Sequence, residues 1–365
     1  MPEYSSTAEQ LERDARDCAK YARGLKADGA ALAGHLTEAL GQDREWLAMA
    51  RRVVPLGQPV NLILFSGVNY LLMERPERPL ADLHPAITRA PCEPAAVVPL
   101  VRDFCMRHEA RLRALLATRT TQYTVVQRGA YVLPALSWLA GRIGAPLTLI
   151  EVGCSAGLNL LFDAWNYDYG AFGRVATPGA PFTIACRVEP GSAPLPLAVP
   201  AVTRRVGIDL QLFDPDDPDQ LRWLIASLHP DLPAEREMVE RALELRRNAG
   251  LDLMQADAMQ VLPDLLAQCR GPVCVLNSHC IYQWPEALKA RLDQVLLDAA
   301  AAGARVQRIS VEMLGFQGPP TVAPARVREK DIEIRAIDYG GGVAVSRVIG
   351  YTHVYGRWID WLAEA

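Results

Sequence analysis

The 365-residue chain is half apolar and 22% charged, with a formal net charge of −4 at neutral pH. That is ordinary for a globular protein built as one large domain or as a core with an added subdomain. A faintly acidic balance without runs of like charge gives no electrostatic reason to expect a nucleic-acid partner, and it excludes acidic or basic tails.

The eight cysteines (18, 92, 105, 154, 186, 269, 274 and 280) form no C-x-x-C pair and read as reduced thiols. The first residues lack the basic and apolar regions of a signal peptide. The longest apolar run, 61–73, contains Ser66, Gly67 and Asn69 and is too short to span a bilayer. A cytoplasmic protein without a membrane partner is expected. Its oligomeric state is left open.

Residues 1–145 read as a helical N-terminal cap. Ser6-Thr7-Ala8-Glu9 is a capping-box signature opening a helix to about Leu25. Residues 61–73 form a second helix candidate, closed by Pro76 and Pro79. Val101, Phe104, Cys105, Leu112, Leu115 and Leu116 keep helical spacing from Val97 on. The stretch 123–139 does so again, with Pro134 as an expected kink.

From 146 to 365 strands alternate with helices. Strands are predicted at 147–152, 182–188, 204–210, 251–255, 273–276 and 305–314; helices at 158–165, 220–228, 233–248 and 261–269, and from Pro285 onward. A Pro-rich insertion occupies about 166–202. Residues 332–335 and 343–349 flank Gly340-Gly341-Gly342 and read as an antiparallel hairpin. The predicted fold class is therefore α/β: a Rossmann-like, mostly parallel sheet with an antiparallel edge, plus a helical N-terminal subdomain.

The most informative stretch is 147–159. A buried-looking strand ends in Glu151, then Gly153-Cys154-Ser155-Ala156-Gly157 turns the chain, and Leu158-Asn159 opens the next element. Small residues would let a ligand lie against bare backbone, with a helix N-terminus beside it, at the carboxyl edge of the sheet. A dinucleotide fingerprint is disfavoured, because its third glycine position holds Leu158 and its second Ser155. The same five residues are formally G-x-S-x-G, so a serine hydrolase using Ser155, with Asp257 and His353, is an alternative. That fold places several strands before its elbow, whereas the preceding 140 or so residues look helical.

The segment also resembles motif I of class I S-adenosylmethionine (SAM)-dependent methyltransferases, with Glu151, Gly153, Ser155 and Gly157 in register and Ser in place of the middle glycine. Asp209 in Val-Gly-Ile-Asp resembles the second-strand acid that holds the ribose hydroxyls in those enzymes, and Asp257-Ala258 the third-strand position near adenine. Asn277, His279 and Tyr282 fall in the fourth-strand loop, where such enzymes face methyl donor and acceptor. Four further segments (149–161, 205–214, 221–224 and 356–358) resemble a bacterial family known as a domain of unknown function. The likeness spans most of the chain and implies a methyltransferase-like core. It departs at 121–128, which lacks the Asn and Glu that precede an Arg in that pattern.

The resemblance implies SAM as cofactor and S-adenosylhomocysteine as product. Glu151, Gly153, Cys154, Ser155, Gly157, Asn159, Asp209, Asp257, Ala258 and Asn277 would bind it. His279, Asn277 or Tyr282 would orient the acceptor or take its proton, His279 because an imidazole titrates near neutrality. The acceptor, a small molecule or otherwise, is not specified. A non-catalytic SAM- or nucleoside-binding protein of the same fold is a further alternative. Asp209 lies well beyond the usual ribose-acid offset of about 20 residues, so Glu189 competes for that role. His353 and Arg357 read as packing or an anion site. The six histidines form no H-x-x-H pair and no cysteine cluster exists, so no metal is expected.

Overall fold

The computed structural model describes residues 3–120, 124–314 and 332–364. Two compact units emerge: Met1–Thr124 with Asp214–Met238, and Val125–Phe213 with Val239–Ala365. The division falls after Thr124, not near 145, and the first unit takes in a later piece of chain.

Helices α1 (Ala8–Ala27), α2 (Ala31–Gln42), α3 (Arg44–Val53), α4 (Val60–Glu74), α5 (Leu80–Leu83), α6 (Pro85–Thr88), α7 (Pro94–Arg107) and α8 (Glu109–Leu116) build the first unit. Thr7 rather than Ser6 caps α1, its side chain accepting from Gln10 N at 3.3 Å. The apolar α4 sits at the centre, with Ile63, Leu64, Val68 and Leu72 buried among Trp46, Phe104, Leu112 and Leu116. Asp14 and Arg51 meet inside this core in a two-pronged ion pair (2.5 and 2.6 Å). Paired and hydrogen-bonded in this way, two buried charges are tolerable; either alone would be costly.

The second unit runs α9 (Gly129–Ile143), β1 (Leu147–Val152), β2 (Asn166–Asp168), β3 (Arg174–Val175), β4 (Thr183–Ala185), β5 (Arg187–Val188) and β6 (Val202–Asp209). Helix α10 (Pro218–Ala226) follows and belongs to the first unit; α11 (Pro233–Arg246) spans the unit boundary. Then come β7 (Asp252–Gln255), α12 (Ala258–Gln268), β8 (Val273–Ser278), α13 (Glu286–Ala301), β9 (Val306–Met313), β10 (Ile332–Asp338), β11 (Val345–Thr352) and β12 (Trp358–Trp361).

One nine-stranded sheet has the order β5-β12-β11-β10-β9-β8-β1-β6-β7. The five strands from β9 to β7 are parallel, and β10, β11 and β12 extend them antiparallel. The mixed α/β sheet with an antiparallel edge thus matches the alternation in the sequence. The insertion forms a small separate sheet, β3-β2-β4. Two departures matter. Residues 158–165 do not form an α-helix; only a 3-10 turn, Leu158–Leu161, comes after β1. And α9, read as part of the cap, belongs with the sheet: Tyr131 shares a 2.9 Å hydrogen bond with Ser278, and Trp138 Nε1 donates to Glu364 O at 3.0 Å.

Candidate functional site

The strand order reverses between β1 and β8. From β1 the chain goes outward to β6 and β7 on one side, then returns to β8 and β9 on the other. At such a point the two strand ends part and leave a crevice beyond their carboxyl edge, where open α/β sheets bind ligands. Four sequence-selected residues come to this edge: Glu151 ending β1, Asp209 ending β6, and Asn277 and His279 at the end of β8.

Glu151 is 1% exposed. Asn159 Nδ2 donates to its Oε1 at 2.7 Å, while Oε2 is buried with no hydrogen-bond partner among the described residues. Burial pushes its pKa up to about 8; the Asn159 hydrogen bond opposes this, the charge of Asp209 adds to it and that of Arg128 lowers it. A buried carboxylate oxygen without a donor costs free energy unless a ligand supplies one. Asn159 is therefore the residue that orients Glu151.

Asp209 ties the neighbouring loop down. Its Oδ2 accepts from Ser155 N at 2.7 Å and its Oδ1 from Gln211 N at 3.1 Å. Among the described residues three non-glycine positions have positive φ, and two lie here: Ser155 (+48°) and His279 (+53°). Strained backbone at two adjacent strand ends is a mark of sites rather than of simple turns.

The loop is not bare. A Cβ on Gly153, whose φ is +78°, would lie 2.3 Å from Cys280 Sγ, so the Cys280 side chain packs over this glycine. Cys154 packs in the same way against Gly207, its Sγ 2.7 Å from where a Cβ would stand. Burial pushes both thiols up, so neither is a ready nucleophile. Gly157 has φ +71° and starts the 3-10 turn. This turn is too short for the helix-end anion site expected there.

On the β8 side, Val152, Asn277 and Ser310 stand side by side in register. Asn277 is fully buried; its Nδ2 donates to Ser310 Oγ (2.7 Å) and Glu312 Oε1 (2.9 Å), leaving Oδ1 unpartnered among the described residues. Glu312, which sequence reasoning missed, is the anchor of the turn after β8. Its carboxylate accepts from Cys280 N (3.0 Å), Ile281 N (3.1 Å) and Tyr282 N (3.3 Å). Burial raises its pKa and these donors pull it back. A lone carboxylate in the otherwise apolar end of β9 was the available signal.

His279 N donates to Val311 O at 2.9 Å, and its Nε2 is buried without a partner among the described residues. Burial, reinforced by the charge of Arg128, holds its pKa well below the usual imidazole range. It is a neutral ring, better suited to accepting a hydrogen bond than to keeping a proton.

Other sequence candidates lie elsewhere. Asp257 caps α12, accepting from Met259 N at 2.9 Å beside Ala258, beyond the outermost strand β7. Glu189 comes after β5 at the opposite edge of the sheet, ion-paired to Arg187 at 2.7 Å, six strands from β1. At about 4.8 Å per strand it is far from the crevice, whereas Asp209 adjoins it. His353 and Arg357 lie in the turn between β11 and β12, where His353 Nδ1 accepts from Tyr355 N at 3.2 Å. Ser155, Asp257 and His353 are thus spread across the sheet and do not meet as a triad. Residues 121–123, part of the stretch that departs from the family pattern, lie outside the described residues.

A family model described as "Uncharacterized protein conserved in bacteria (DUF2332)" matches residues 15–361. No curated protein and no solved structure matches the chain.

Proposed function

The chain belongs to that bacterial family, matched over nearly its whole length, and we propose that it binds SAM at the β1/β8 crevice and transfers the methyl group to an acceptor. The observation that carries this reading is the buried Glu151, with one carboxylate oxygen unpartnered, at the point where the strand order reverses. The order β7-β6-β1-β8-β9 repeats the 3-2-1-4-5 arrangement of doubly wound nucleotide-binding sheets.

The residues present suit the group. Asp209 retains lone pairs beside its bonds to Ser155 and Gln211 and would accept the ribose hydroxyls. The unpartnered oxygen of Glu151 would accept from the ammonium of the methionine end. SAM would supply an already electrophilic methyl on its sulfonium. The protein's part is placement: holding the acceptor in line and keeping water out. His279 Nε2 would accept a hydrogen bond from the acceptor and orient it, and Tyr282, fixed through its backbone by Glu312, would border the same space.

Isothermal calorimetry with SAM and with S-adenosylhomocysteine tests the reading. Both should bind, and Asp209→Ala should weaken binding by about tenfold or more, the value of one lost hydrogen bond to a charged group. Absence of binding by either at millimolar concentration would overturn it.

A further inference from the structure

The longest apolar run of the chain forms α4, yet a polar strip runs down one side of it. Asn61, Phe65, Ser66 and Asn69 follow at i, i+4, i+5 and i+8 and so share a face. Asn61, Ser66 and Asn69 are 2%, 5% and 5% exposed. Polar groups in a core helix cost free energy unless something satisfies them. Together with Thr37 of α2 and Ser227 after α10, this face borders a cavity of about 380 Å³, part of it open to solvent. All the lining residues belong to the helical unit.

The hydrogen-bonding character of the wall is one-sided. Ser66 Oγ donates to Leu62 O at 2.8 Å, Ser227 Oγ to Trp223 O at 2.9 Å and Asn69 Nδ2 to Ala226 O at 2.9 Å. Asn61 Nδ2 donates to Thr37 Oγ1 at 3.4 Å. Because a backbone carbonyl can only accept, Asn69 must turn its nitrogen to Ala226 and its oxygen away. Among the described residues nothing donates to Oδ1 of Asn69 or of Asn61. The wall therefore spends donors on the protein and keeps lone pairs to offer. His229 is the titratable side chain on it, and no carboxylate, ammonium or guanidinium joins it. A charged guest would lie there without a counter-ion. We propose that this cavity binds a small uncharged molecule rich in donors and poor in acceptors, a hydroxylated ring of phenol type. Phe65 gives the ring an aromatic neighbour. Asn61 and Asn69 stand about 12 Å apart along the helix, a span that suits one ring with a donor on either side. The volume, near the lower end for small-molecule sites, also fits a single ring. The site is separate from the SAM reading and does not rest on it.

Saturation-transfer NMR titrations on the full chain test this with resorcinol and 1,3-difluorobenzene, rings of similar size with and without donors. Resorcinol should bind at millimolar concentration, about tenfold or more tightly than difluorobenzene. Asn61→Leu replaces an acceptor by an apolar group of like shape and should remove most of that preference. Ala33→Leu enlarges a side chain on the cavity wall and should abolish binding of both probes. Urea transitions identify which variants are folded, and either one alone suffices for the comparison. No transfer to resorcinol at millimolar concentration would mean that the cavity holds water only and would overturn the proposal. Equal affinity of the wild type for the two probes, or resorcinol binding indifferent to the substitutions in folded protein, would overturn it as well.

Discussion

Glu151 concentrates the electrostatics of the site in one residue. Its carboxyl is shifted from 4.5 to about 8 in the folded protein, chiefly by burial. The unfolded chain has lost its proton by neutral pH while the native state still holds it. Between pH 4.5 and about 8 the native state therefore binds more protons, and this group's contribution to stability falls as pH rises. Glu151→Gln mimics the neutral acid and removes the effect. Urea unfolding at pH 5 and pH 8 should show wild type losing stability relative to Glu151→Gln, by at most roughly 1.4 kcal/mol per pH unit. Parallel pH profiles for the two proteins would contradict the burial argument. A ligand ammonium would favour the ionised form, so its binding should strengthen over the same pH range and release a proton.

At the scale of elements, the site is made by the turns at the ends of two strands, and each turn has its own device. After β8 the device is Glu312, which ties three successive backbone amides and the Asn277 side chain. Glu312→Ala strands those donors in a buried place, at roughly 1–3 kcal/mol for each that finds no other acceptor. It should lower unfolding stability by about 3 kcal/mol or more and speed hydrogen exchange at residues 280–282, with Glu312→Gln intermediate. Unchanged exchange there would show the carboxylate is not what holds the turn. After β1 the device is close packing: Gly153→Ala sets a Cβ on Cys280 at a positive φ. It should cost about 2 kcal/mol or more, partly recovered by Cys280→Gly, with the φ strain left behind.

These devices also mark how far the sequence could be read. β1 and β8 are apolar runs and β6 closes on Val-Gly-Ile-Asp, each leading into a site residue, so Glu151, Asp209 and Asn277 are visible from the pattern alone. Asn159 was visible as a neighbour, but its role was not: only the fold shows it bonded to the carboxylate eight residues before it. Glu312, Tyr131 and Ser278 act through contacts between distant parts of the chain, which no local period encodes. The absent helix at 158–165 has a physical cause. Its apolar residues Leu160, Leu161, Phe162 and Trp165 are all buried, and Asp163 pairs with Arg205 of β6 (2.6 and 2.7 Å). Tertiary contacts on every side override the helical period there.

At the scale of the molecule, the chain does not divide in sequence order. Asp214–Met238 leaves the sheet-bearing segment and completes the helical unit. Trp223 and Ala226 of α10 are buried in the core of that unit, Asn69 Nδ2 donates to Ala226 O at 2.9 Å, and Trp223 Nε1 donates to Thr120 O at 3.1 Å. A fragment of residues 1–145 would expose this core and leave Asn69 unsatisfied. It should show no cooperative urea transition by circular dichroism, whereas the full chain should. A sharp, native-like transition for the fragment would mean that α10 is dispensable to the helical unit.

We propose that the β1/β8 crevice, and not another part of the chain, receives S-adenosylhomocysteine. Hydrogen–deuterium exchange of the full chain with and without this ligand measures it most directly. Exchange should slow in three segments, 151–159, 209–211 and 277–282. Unaltered exchange in all three at saturating ligand, or protection only within the helical unit, would contradict it.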